Sequence, residues 1–475
     1  MANQLDENNI ALKSKEYIFY IFIFWSSLVL LGLYFANNTL YLDKVGGVSL
    51  GVLISIFGIF ALESLFIFLK KNKNYIFVNR SVFFLLLLIL YVSIRIITDK
   101  SDINYLRTFW FSTSFGSLIF YMLGGFIACV ATEINNLAKK NKFLSNCNYF
   151  LGYFYIFCNL LFNLYVFFRL LPRKRPVFFL IDSFGFYQRP ANFIIINTFL
   201  IAYCYFSIQS NSKRNYLLDI IYFCYYIITI LLVQFIGSNN GFLGVFGIMF
   251  FSMIYKIYLS NKYKKEQKLF DKKRKATLVT KYIITFFKNL GLISVYLFII
   301  LLMFFVVFRK YMPPVRILHY NLNEEYNPLD ERFKSLKDNF IPQFSLRPIE
   351  GNMEAETIIS GEGTQIHSFI LSMMTHIGII GVTLFILYLL FALKEFHNSL
   401  CYSRNYNSFC LNLFIFLLAI FIFFMANISS FFSWNPIWFT FGFCFPIIYY
   451  RQNNIKYNLL KNNTIKLELI NNKNG

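Results

Sequence analysis

Long apolar runs recur along almost the whole of this 475-residue chain, and they restrict its fold more than any other feature. A run of about 17 to 25 apolar residues spans the ~30 Å hydrocarbon core as a helix, the form that satisfies its own backbone amides where water is absent. Hydrophobic residues make up 57% of the chain and charged residues 14%, against roughly a quarter charged in a soluble domain. The sequence is read as an all-α polytopic integral membrane protein with about twelve transmembrane helices. Expected spans include Val82–Ile97, Tyr149–Phe168, Asn192–Ser207, Leu217–Ile236, Phe242–Tyr258, Ser368–Leu393, Phe409–Ala426 and Trp434–Tyr450. The first run, Tyr17–Tyr34, lacks a small-residue cleavage site and is expected to stay as a span rather than leave as a signal peptide.

The organisation that follows places transmembrane helices one to nine over residues 1–308, one large external loop over 309–367, helices ten to twelve over 368–450 and a basic tail over 451–475. Lys and Arg fix the orientation, because short cytoplasmic loops retain them. With the N-terminus inside, Lys70, Lys71 and Lys73, then Lys139 and Lys140, then the run 256–275, then Lys394 and Arg404 all fall on the cytoplasmic side, as does the C-terminal tail. The net charge of +22 is thus mainly a topology signal with affinity for anionic membrane lipids, and nucleic acid is not an expected partner.

One external segment departs from this rule. Arg169, Arg173, Lys174, Arg175 and Arg189 lie between the fifth and sixth spans with Asp182 as their acid. Arginine pairs with phosphate through a planar fork of donors, so an anion site is one reading; a miscounted span that makes the loop cytoplasmic is the other.

The large loop carries Arg309, Arg316, Arg332 and Arg347. Its aromatic, branched and proline residues predict order, since a disordered linker would lack them. Leu329, Phe333, Leu336 and Phe340 recur at helical spacing and predict a short amphipathic surface helix. On it, Arg332 either points into a headgroup-level cavity or pairs with Glu331 or Asp338. At the loop's end Gly361 and Gly363 permit tight turns before His367. An imidazole there can accept a proton near neutral pH, or serve as a helix cap or interfacial anchor. His319 and His376 are weaker candidates, and His397 falls on the cytoplasmic side.

The eight cysteines fall in spans or cytoplasmic segments, and none lies in the large loop, which rules out a disulfide framework there. The sequence contains no HExxH, zinc-like spacing or P-loop. No cofactor is expected.

The order of these features resembles the O-antigen polymerase and O-antigen ligase superfamily of bacterial membrane enzymes. GEGTQIHSFILSMMTHIGIIGVTLFILYLL is similar to that family's Gly-rich turn, His-Asn pair and Gly- and Leu-rich helix, with His367 kept and Ser368 in place of Asn. DERFKSLKDNFIPQFSLRPIEG resembles its Arg, Pro and Gly element through Arg332, Pro348 and Gly351. FGFYQRPANFIIINTFLIAY resembles a Gly, Pro-Asn element through Gly185, Pro190 and Asn192, interrupted by Ala191. GSNNG at Gly237–Gly241 stands where the family has Ser-Arg-Gly, with Asn239 at the Arg position.

The resemblance implies an inverting, metal-independent glycosyltransferase that moves glycan from an undecaprenyl-diphosphate carrier to a glycan or lipid acceptor on the outer face of the bacterial inner membrane. The loop is then periplasmic. His367 would be the base and Arg332 a catalytic cation, with Arg189, Arg173, Arg175 and Arg309 binding the diphosphate. The alternatives are a polysaccharide flippase or other secondary transporter, which would show inverted halves and buried midplane charges, and a non-catalytic scaffold. Charges within the expected spans are few, namely Glu63, Arg95 and Asp219.

Overall fold

The computed structural model describes residues 80–98, 142–170, 188–211, 216–270, 336–352, 366, 368–401, 406–429 and 434–445, with isolated positions between 120 and 131; for some helix-end residues, among them 188–190 and 257–270, it describes the backbone alone. Among these residues every regular element is helical. We label them α1 (Arg80–Thr98), α2 (Lys142–Leu170), α3 (Gln188–Asn211), α4 (Tyr216–Ile236), α5 (Asn239–Phe270), α6 (Ile341–Leu346), α7 (Phe369–Cys401), α8 (Tyr406–Ser429) and α9 (435–445). Six of them are long and apolar enough to cross a membrane, so the chain is a multi-pass membrane protein by length and composition. Of the other expected spans, Phe242–Tyr258 lies within α5, Trp434–Tyr450 is described in part as α9 and Phe109–Ala131 at isolated positions, while Tyr17–Tyr34, Gly46–Leu69 and Leu290–Phe308 lie outside the described residues.

Helix α3 is the core of the bundle and is almost wholly buried, whereas α1, α2 and α4 each expose a broad apolar face. Its aromatics hold α9 in place: Phe199 packs edge-on against Phe439 and Phe443, and Tyr203 against Phe443. Small residues allow close backbone approach elsewhere, as membrane helices need where no hydrophobic effect drives them together. A Cβ on Gly124 would strike the Phe439 carbonyl of α9, and one on Gly247 of α5 would enter the Phe421 ring of α8.

Polar residues fasten α2, α3 and α4. Asn197 donates to Asn159 Oδ1 at 2.6 Å and accepts from the Tyr155 hydroxyl, while Asn163 donates to Thr229 Oγ1 at 2.8 Å. These groups are buried and paired, which is what permits them inside an apolar bundle.

The contacts sort the helix ends into two groups. At one end Ser81 donates to Glu395, and Lys256 meets Asp219 at 2.8 Å, with Tyr205 and Gln209 donating to the same carboxylate. Of the three charges read as lying within spans, Asp219 sits in the first turn of α4 and Arg95 in the last turn of α1, each with partners, and Glu63 lies outside the described residues. At the other end lie the starts of α3, α5, α7 and α9. There Trp434 Nε1 donates to Asn192 Oδ1 at 2.6 Å, Phe369 packs on Trp438, and Gly241 approaches Ala191.

Candidate functional site

The second end is where the described part of the large loop docks. Helix α7 breaks at Gly378, whose φ of 63° and ψ of −169° are not helical. Such a break orphans backbone groups, which cannot remain unpaired away from water. The segment Arg347–Asn352 satisfies them: Ile379 N–H donates to the Pro348 carbonyl at 3.0 Å and Ile380 N–H to the Ile349 carbonyl at 3.2 Å, while Asn352 N–H donates to the Thr375 carbonyl at 2.8 Å. The loop thus completes the broken helix.

Gly351 turns the segment at a φ of 79°, closed by its N–H donating to the Arg347 carbonyl at 2.9 Å. Two residues of α1 grip this turn. Arg95 donates to the Gly351 carbonyl at 3.0 Å and approaches Glu350 Oε2 at 3.5 Å, and the Tyr91 hydroxyl donates to the Glu350 carbonyl at 3.0 Å. The Arg95 side chain is nearly buried and that of Glu350 half exposed, so the bond to Gly351 contributes more than the ion pair.

His376, two residues before the break, is fully buried. Its Nδ1 lies 2.7 Å from the Ser372 carbonyl, an acceptor, so Nδ1 carries the proton. This position faces packed helices and reads as structural. His367 lies outside the described residues, although both its neighbours are placed. Ile366 is buried, and Ser368 caps α7 by accepting from Leu371 N–H at 3.5 Å. A second cap comes from α8, where Asn427 Oδ1 accepts from Ile370 N–H at 3.1 Å.

Arg332, Arg173, Arg175 and Arg309 also lie outside the described residues. Arg189 falls in the first turn of α3, where the backbone alone is described. That turn is beside the α4–α5 junction, the site of GSNNG. Gly237, with φ of 82°, ends α4, and buried Ser238 starts α5 by accepting from Gly241 N–H at 3.0 Å. In the last turn of α4 Gln234 is buried, and neither its Oε1 nor its Nε2 has a hydrogen-bond partner among the described residues.

Of the amphipathic helix expected around Leu329–Phe340, residues 329–335 lie outside the described residues and the rest is helical. A π-helical turn, Leu336–Phe340, runs into α6 with Pro342 in the first turn. Pro342 has no N–H to lose there, so the helix tolerates it.

Several residues here escaped the sequence reading. Gln234 and Asn427 carry no motif, and Glu350 and Gly378 lie inside the quoted segments without being singled out there. Arg95 offered one signal, its charge within an apolar run. No family model, curated protein or solved structure matches the chain.

Proposed function

We propose that the chain is an inverting glycosyltransferase of the O-antigen polymerase or ligase type. It would transfer glycan from an undecaprenyl-diphosphate carrier to a glycan or lipid acceptor at the outer face of the bacterial inner membrane. The observation that supports this reading is convergence. Asn192, Gly237–Gly241, Pro348, Gly351 and Ser368, which sequence resemblance picks out from distant parts of the chain, all belong to one end of the bundle. Arg189 starts the helix that carries Asn192.

In this reading the acceptor hydroxyl oxygen attacks the anomeric carbon, and the bond from that carbon to the diphosphate oxygen breaks with inversion. The hydroxyl proton passes to His367. Negative charge grows on the departing diphosphate, so guanidinium groups aimed at it stabilise the transition state more than the ground state. Arg332 and Arg189 take that role, with Arg173, Arg175 and Arg309 completing the anion site. Cleavage of the bond between the sugar and the diphosphate supplies the driving force, and the acceptor decides between polymerase and ligase.

One observation favours a second reading, a polysaccharide flippase or other secondary transporter. Broken helices such as α7 recur at transporter binding sites. Reconstitution with a lipid-diphosphate oligosaccharide separates the two. A longer or transferred glycan supports the glycosyltransferase. Movement of the intact lipid across the bilayer without transfer supports the transporter.

A further inference from the structure

The described loop segment is built inside out for a water-facing helix. Its amides point inward, with Asn339 at 8% and Gln343 at 3% exposure, and Gln343 Oε1 has no hydrogen-bond partner among the described residues. Its aliphatic side chains point outward, with Leu336 at 40%, Ile341 at 55%, Leu346 at 62% and Ile349 at 64% exposure. A segment lying on a water-covered surface has the opposite pattern, because exposing branched aliphatics to water is unfavourable in proportion to their area.

The exposed aliphatics continue a surface that already faces lipid. The Pro348 and Ile349 carbonyls bond to the amides of Ile379 and Ile380 on α7, whose own side chains are exposed. Across the turn, Arg95 joins the loop to α1, where Ile94 and Ile97 are exposed. Both α1 and α7 are long and apolar enough to span a membrane. Lys337, Asp338, Ser345 and Arg347 within the segment and Glu350 beside it are also exposed, as suits a segment at headgroup level whose polar side chains reach water.

From the inverted exposure and this continuity we infer that Leu336–Ile349 lies within the membrane interface. Its aliphatic face is buried among the acyl chains of the leaflet at this end, and Asn339 and Gln343 turn toward the protein. The loop is then a monotopic element fastened to the spans, an arrangement known for amphipathic helices with one apolar face. Lipid, rather than a second copy of the chain, covers that face.

Photo-crosslinking of the full chain tests this. A benzophenone amino acid is placed singly at Ile341, Leu346 or Ile349, with Ile380 as the reference position within a span. The protein is reconstituted in phosphatidylethanolamine and phosphatidylglycerol vesicles that carry alkyne-tagged phosphatidylglycerol. Lipid capture at Ile341 and Leu346 within about twofold of that at Ile380 is expected, since an interfacial face sits only ~5–10 Å into the acyl boundary. A dimer-sized adduct would mean that a second copy covers the face, and an intramolecular adduct would mean that another part of this chain does. Either result, or absence of adducts at both positions while Ile380 labels, overturns the inference. Ile349 supplies the reading if a variant at either of the other positions does not accumulate.

Discussion

Gly351 of the loop and Gly378 of α7 are held face to face, each with positive φ and each occupying the space a Cβ on the other would need. A Cβ on Gly351 would lie against the Gly378 amide nitrogen, and one on Gly378 would meet the Gly351 amide at 2.5 Å. Neither backbone can retreat without breaking the bonds that repair the helix.

Gly351→Ala and Gly378→Ala are each expected to lower thermal stability in detergent. Left-handed backbone strain alone costs about 1–3 kcal/mol for a non-glycine residue, and overlap adds to it. The double variant should lose less than the sum of the single losses, because either change already undocks the loop. Melting curves of the three variants measure this, and strict additivity would count against the shared contact.

Arg95→Ala should expose the loop near Gly351 to protease and reduce glycan transfer, whereas Glu350→Gln should do little. The difference follows from geometry. A hydrogen bond from a charged group is worth about 1.5–3 kcal/mol, and an ion pair with an exposed partner about 0–1 kcal/mol. Arg95→Lys should recover part of the docking through the Gly351 carbonyl. Limited proteolysis alongside transfer assays would show the order.

The membrane class and the positions of several spans were legible in the sequence because the apolar runs themselves define them. Expected Leu217–Ile236 is observed as Tyr216–Ile236, and expected Val82–Ile97 as Arg80–Thr98. The docking of the loop was not legible. Its bonds are backbone to backbone, from Ile379, Ile380 and Asn352, and side-chain patterns do not encode them. Gly378 sits in GIIG within an apolar run, where it reads as a packing glycine. Arg95 was visible as a charge, but its partner Glu350 is 255 residues away. The surface helix was expected from Leu329, and in a water-soluble protein its apolar positions would seek the protein interior. Membrane proteins relax that rule, because lipid covers apolar side chains as well as a protein core does.

The two histidines that flank the start of α7 should behave differently. His376→Asn is expected to lower stability, since the ring is buried and bonded to the Ser372 carbonyl. His367→Ala is expected to leave expression and melting unchanged and to cut transfer, by roughly 10²- to 10⁴-fold if it is the general base. Near-normal transfer by well-folded His367→Ala would remove it from the mechanism.

Sidedness can be read with membrane-impermeant thiol labelling in a background lacking the native cysteines. Asn352 is a poor reporter because it is buried against α7. Lys337 and Lys394 are exposed at opposite ends. Cysteines there should label from opposite faces, Lys337→Cys from outside. Labelling of both from the cytoplasm would contradict the external loop.

Arg189→Ala and Arg332→Ala should each weaken use of the lipid-diphosphate donor far more than loss of a surface charge. A surface ion pair contributes roughly 0 to 1 kcal/mol. Loss of one donor aimed at developing charge costs about 2.7–4 kcal/mol, or 10²- to 10³-fold in rate. Lys at either position should restore only part of the activity, since a point charge replaces a bidentate fork. Arg189 opens α3 at the loop-bearing end of the bundle, so its loss should raise the donor requirement without undocking the loop that Arg95 holds. Protease resistance near Gly351 should therefore survive Arg189→Ala and fail in Arg95→Ala. If both arginine variants keep more than about a tenth of wild-type transfer, well short of the loss such a donor implies, the diphosphate is held elsewhere, with Arg173 and Arg175 next to test.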